Sequence, residues 1–155
     1  MTGKTAALAA MLVCGATVGI AQTRTEVEMT RAQIQSDRQA IVAAAMDLSD
    51  AEGAVFWPMY REYRAEVQTL GDRRWRLLES YADSWTAMSE GAAKALLDEW
   101  FSIQADEIKI KRKWMKKMRK DMSSRRVLRF FQIENALDAV IAGEIAAEIP
   151  LAVDP

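Results

Sequence analysis

Histidine is absent from the 155 residues, and cysteine occurs once, as Cys14. Such a chain lacks the commonest general base and has almost none of the best nucleophile or of the two best transition-metal ligands. Carboxylates and lysines remain, but no constellation of nucleophile, base and phosphate-cradling loop accompanies them. Proline and glycine are scarce, at three and seven residues, and Gly3, Gly15 and Gly19 fall within the first twenty positions. With so few turn formers, long helices are the natural expectation. No segment alternates apolar and polar residues with period two, so no sheet is expected.

The beginning of the chain is its longest uncharged stretch. Lys4 gives a positive start, residues 6–20 are uncharged, and Gly19-Ile20-Ala21 offers the small-x-small pattern of a cleavage site. A span of a bilayer needs about twenty apolar residues, so a cleaved export leader over residues 1–21 is expected rather than an anchor. Cleavage would remove Cys14 and leave a mature chain unable to form a disulfide. Met11-Leu12-Val13-Cys14 is the alternative, a lipid-attachment site with Val13 where a small residue is usual.

Residues 22–155 suit one all-α domain of about four helices. The stretch 25–46 is polar, then alanine-rich, with Ile34, Ile41, Val42 and Met46 as its apolar points. Ser49-Asp50-Ala51-Glu52 fits a capping box, opening a helix over about 49–83. In it Phe56, Tyr60, Tyr63, Val67, Leu70, Leu77 and Tyr81 form a coiled-coil-like seam, interrupted where Arg74 stands. Pro58 predicts a kink or a late start. Ser89 opens the next helix, over about 89–122. Leu96, Trp100, Ile103, Ile110 and Trp114 line one side of it, and Leu97, Phe101, Ile108, Met115 and Met122 an adjacent one. So wide an apolar arc needs cover from several neighbours. A last helix is expected over about 125–149, with Phe130, Ile133, Leu137, Val140, Ile141 and Ile145 buried and Pro150 as its stop. The two long helices form an antiparallel hairpin. The flanking helices or a second copy would cover its faces.

Charge is strongly segregated. Residues 22–108 carry nine Lys/Arg against sixteen Asp/Glu, a net −7; residues 109–129 carry eleven against one, +10; residues 130–155 carry none against five, −5. The basic block either pairs with the acidic second and fourth helices or offers a surface to anionic partners, which salt would weaken. Acidic unfolded segments, lipid headgroups and lipopolysaccharide are such partners; nucleic acid is not expected for an exported chain. Core packing is the default for the five tryptophans, with Trp57, beside Phe56 and Pro58, expected to be partly exposed and a client-facing strip as the alternative. Met115, Met118 and Met122 read first as gap-filling core, then as adaptable client contacts, then as a copper site. The carboxylate pairs Asp98-Glu99 and Asp106-Glu107 read as partners for nearby cations.

An exported, all-helical, histidine-free chain with capped long helices resembles the Spy/CpxP group of periplasmic proteins, whose Leu-Thr-x-x-Gln motif is typically present twice. The matching stretches are Leu48-Ser49-Asp50-Ala51-Glu52, with Ser for Thr and Glu for Gln, and Met88-Ser89-Glu90-Gly91-Ala92, where the hydroxyl survives. The resemblance covers roughly residues 45–125. Arg129-Phe130-Phe131-Gln132-Ile133-Glu134-Asn135, with Ile149-Pro150-Leu151, is similar to the end of a set of secreted proteobacterial proteins. The group implies a thin, curved, antiparallel dimer with a basic, partly apolar concave face, acting as an ATP-independent chaperone or an envelope-stress sensor. Its metal-sensing branch uses histidines that this chain lacks.

The sequence therefore predicts a periplasmic, non-enzymatic binding protein of a Gram-negative envelope, without cofactor or bound metal and forming a homodimer. It would hold polypeptide clients through Arg112, Lys116, Arg119 and Lys120, with Met115 and Met118 as the apolar component. A dedicated structural or regulatory partner-binding protein of the envelope is the alternative, and after it a metal-sensing periplasmic protein.

Overall fold

The computed structural model describes residue 33 and residues 37–153. The expected leader, 1–21, and the start of the first helix lie outside the described residues. Those described form an all-α fold of four helices: α1 (residues 37–46), α2 (Asp50–Ser84), α3 (Glu90–Met118) and α4 (Ser124–Glu148). No strand occurs among them.

Each long helix is started by a serine. Ser49 accepts from the Glu52 amide, and the Glu52 carboxylate accepts in return from the Ser49 amide at 3.0 Å, closing the capping box. Ser89 accepts from the Ala92 amide and Ser123 from the Arg126 amide. These bonds satisfy amides that the first turn of a helix leaves open. Asp47 makes the sharp corner between α1 and α2, at φ 48°, a left-handed conformation that the short polar side chain of Asp tolerates better than most. Helix α2 starts at Asp50 and continues through Pro58, so the late start that proline suggested does not occur. Helix α3 stops at Met118, four residues sooner than expected. The chain then turns tightly, the Met122 amide donating to the Met118 carbonyl at 2.9 Å, and Ser123 restarts it as α4.

Ion pairs report how the helices run. Lys117 meets Glu62, Lys113 meets Glu66 and Arg74 meets Glu107, so α3 lies antiparallel to α2 along most of its length. Helix α4 returns parallel to α2: Arg126 reaches Glu52, Glu134 reaches Arg64, and the Tyr81 hydroxyl donates to the Pro150 carbonyl at 2.6 Å. Helix α1 is antiparallel to α4. Arg38 meets Glu134 and Asp138, while Arg129 and Arg126 donate to the carbonyls of Ala45 and Met46.

The core sits at the end where all four helices meet. Val42 and Met46 of α1, Phe56, Met59, Tyr60 and Tyr63 of α2, Trp114 and Met118 of α3, and Val127 and Phe130 of α4 close over one another. Phe130 packs edge-to-face on Phe56, Tyr60 and Tyr63, with ring centroids 5.3–6.1 Å apart. Aromatic quadrupoles favour this arrangement. In α4 the expected face is only partly buried: Phe130 is enclosed, Ile133, Leu137, Ile141 and Ile145 are half-buried, and Val140 is exposed.

Candidate functional site

The basic block divides into two sets. One set holds the fold together. Lys113 donates to Glu66 and Lys117 to Glu62, both at 2.6 Å, and Lys111 pairs with Glu107 and Asp138. The Lys117 ammonium also lies 4.3 Å from the ring centre of Trp114, a cation–π contact. Arg126 and Arg129 tie α4 to α1 and α2. Pairing with acidic residues of the second and fourth helices is thus realised for four of the eleven cations, Lys111, Lys113, Lys117 and Arg126.

The other set points outward. Arg112, Lys116, Arg119 and Lys120 are exposed and have no acidic partner among the described residues. With Ala105, Ile108, Lys109 and Lys113, the first two line a shallow depression of about 390 Å3 on the outer side of α3. At 3.6 residues per turn, Leu97, Phe101, Ile108, Arg112 and Arg119 fall within about 60° of one another around the helix. One line therefore runs from an apolar half of α3 into a cationic half.

Of the two methionines expected beside these cations, Met118 is removed from the surface. It is fully buried in the core, so it cannot meet a client in the folded protein. The turn after Met118 folds α4 back over that side of α3 and encloses it. Met115 is half-buried against the core, leaving part of its side chain accessible. Met122 likewise packs on the core. Of the two tryptophans expected on one face, Trp114 is 1% exposed, whereas Trp100 is 48% exposed and lies beside the Phe101 ring at 5.3 Å. Leu97, Phe101 and Ile108, expected to be covered, are 52%, 61% and 55% exposed.

The carboxylates of α3 meet cations. Arg73 donates to both Glu99 oxygens and to Asp106, Arg74 donates to Glu107, and Lys94 pairs with Asp98. Hydrogen bonds from Arg73 hold the Glu99 carboxyl below its ordinary range. At Glu107, burial acting upward is outweighed by Lys111 and Arg74, and its carboxyl is also held low. No group of three metal-ligating side chains converges among the described residues.

The feature that sequence reasoning missed is a buried charge cluster. Glu134 is fully buried, accepting from Arg38 at 2.7 Å and from Arg64 at 3.2 Å. Arg38, 2% exposed, donates its other terminal nitrogen to Asp138 at 2.8 Å. Burial pushes the Glu134 carboxyl up against the pull of the two guanidiniums. Burial and then the Glu134 charge push the nearby Tyr60 hydroxyl up to about 12. The signal was present: Glu134 falls within the arc of Phe130, Leu137 and Ile141, where an unpartnered carboxylate would be costly.

Compared with protein-family models, curated proteins and solved structures, the chain matches none.

Proposed function

We infer that the protein is a periplasmic binding protein that holds polypeptide clients without making or breaking bonds, in the chaperone-like or stress-sensing manner of the Spy/CpxP group. The observation that carries this reading is the row of outward cations, Arg112, Lys116, Arg119 and Lys120, left without acidic partners in a fold that pairs most of its other charges. Long-range attraction would bring in acidic segments of a client, and the accessible part of Met115 would add a weak apolar contact. The leader expected at residues 1–21 supports export, and a homodimer is the proposed assembly.

The test is aggregation of a chemically denatured substrate, followed by light scattering, with the protein purified from its own envelope fraction. Suppression that fades with salt is expected, as is its loss when Arg112, Lys116, Arg119 and Lys120 are all replaced by Glu with helicity intact. Suppression retained by that variant sinks the reading. The exposed apolar residues on α3 favour a second reading, a dedicated envelope partner docked on that helix. Crosslinking in cells to a single stoichiometric protein would select it.

A further inference from the structure

The client reading leaves unused the apolar half of the α3 line. Leu97, Phe101 and Ile108 are each more than half exposed, and all lie on the outer side of one long helix, within about 40° of one another around it. Large apolar side chains grouped on a surface mark a place where something else sits. Three neighbouring features narrow what that is.

The first is charge. On the same outer side stand Lys94, Lys109, Arg112, Lys116, Arg119 and Lys120, all exposed, against exposed Glu90 and Asp98. A second copy laid against this face would bring two cationic excesses together, so the face favours an anionic occupant. The second is shape. Leu97 to Lys120 covers roughly 35 Å along the helix axis, with only a shallow depression between Ile108 and Lys116. A long, nearly flat face suits a surface better than it suits a single extended peptide, which needs walls. The third is the field of the whole molecule. Residues 109–129 are net +10, whereas residues 130–155 are net −5, with Glu144 and Glu148 exposed on α4. The +10 block lies at the end where the four helices meet, so a molecule with that separation turns that end, with the cationic half of α3, toward a negatively charged plane.

We propose that the outer face of α3 rests on the phosphate-bearing surface of an anionic phospholipid bilayer. Leu97, Phe101 and Ile108 enter the headgroup boundary, and Lys109, Arg112 and Lys116 sit over the phosphates. Lysine and arginine stems lie along the apolar layer while their charges stay in the headgroups. The contact is peripheral, since no helix among the described residues is long and apolar enough to cross a membrane. It shares Arg112 and Lys116 with the client reading, and it is tested apart from that reading through the apolar Leu97 and Phe101, which the client reading does not use.

The experiment is flotation of the full chain with vesicles of phosphatidylcholine containing one quarter phosphatidylglycerol, beside vesicles of phosphatidylcholine alone. Binding to the anionic vesicles should be at least about tenfold stronger and should weaken with salt. Replacing Leu97 and Phe101 by Ser should lower it by about tenfold, with unchanged helicity, because both side chains lie outside the core. Residues 1–36 are the same in every variant, so a change on substitution belongs to α3. Phe101→Trp keeps an aromatic ring on the outer face and supplies the positional readout. Vesicles with brominated acyl chains should quench the fluorescence that this variant adds over the wild type, with flotation unchanged. Equal flotation with both vesicles, no flotation at low salt, or a Leu97→Ser/Phe101→Ser variant that binds unchanged overturns the proposal. So does a strip whose substitution dissolves a dimer while vesicle binding is absent throughout.

Discussion

The two ends of the molecule are built from the same two long helices and are held in different ways. At the closed end, α1 and the first turns of α4 cover the hairpin, and the fully buried side chains gather there, among them Phe56, Tyr63, Trp114 and Phe130. Toward the hairpin tip, between residues 67 and 108, Leu70 and Ile103 are the buried apolar residues. Partly exposed ion pairs, Arg73 with Glu99 and Asp106 and Arg74 with Glu107, replace the missing apolar cover. The contrast shows that the hairpin takes its stability from the helices laid over it and not from its own seam. Where that cover stops, the same amphipathic pattern leaves side chains bare.

Substitutions should break that comparison unequally. The largest loss belongs to the closed end. Phe130→Ala removes the ring on which three others pack and should cost about 3–5 kcal/mol in urea unfolding, for the whole domain at once. Next comes the charge cluster. Glu134→Ala strands two guanidiniums and should cost about 3 kcal/mol, whereas Arg38→Met with Glu134→Leu should recover much of it, as a double-mutant cycle would register. Ser49→Ala, losing the cap of α2, should cost about 1 kcal/mol. At the tip, Arg73→Ala should leave the denaturation midpoint nearly in place yet speed amide hydrogen exchange in the facing turns of α2 and α3. Equal protection at both ends in that variant would contradict the division drawn here.

Acid sharpens the same contrast. At Asp138, burial acting upward is outweighed by the Arg38 hydrogen bond and by the charges of Arg38 and Lys111, so its carboxyl is held below the ordinary 3.8. A carboxyl lowered on folding adds stability that is complete above its unfolded value and disappears as pH falls through the lowered one. Asp138→Asn should therefore flatten the acid limb of the stability curve, a result that urea melts between neutral and strongly acid pH would check.

Much of the fold was legible because it rests on local chemistry. Ser49 with Glu52 and Ser89 announce helix starts within a few residues of where they occur. The seam of α2 names Phe56, Tyr60, Tyr63 and Leu70 correctly as buried. What escaped depends on which neighbour reaches a given face. Periodicity groups Trp100 with Trp114, but it holds no record that the cover enclosing Trp114 leaves Trp100 open to solvent. The pairing of Arg38 with Glu134 joins residues 96 positions apart, and no window of sequence contains both. The outward cations were visible as a block, yet the division into paired and unpaired members needed the register of α2 against α3. That same register placed Met118 inside.

The long separation between Arg38 and Glu134 bears on how the protein is made. A chain that emerges from its first residue onward presents α1 early, with Val42, Met46 and Arg38 all lacking the surface they are shaped to meet. That surface does not exist until α4 has been synthesised. Contacts of such sequence separation form late, after local helices and the hairpin. Closure of the core thus waits for nearly the whole polypeptide, which keeps the growing chain open until its last helix is complete.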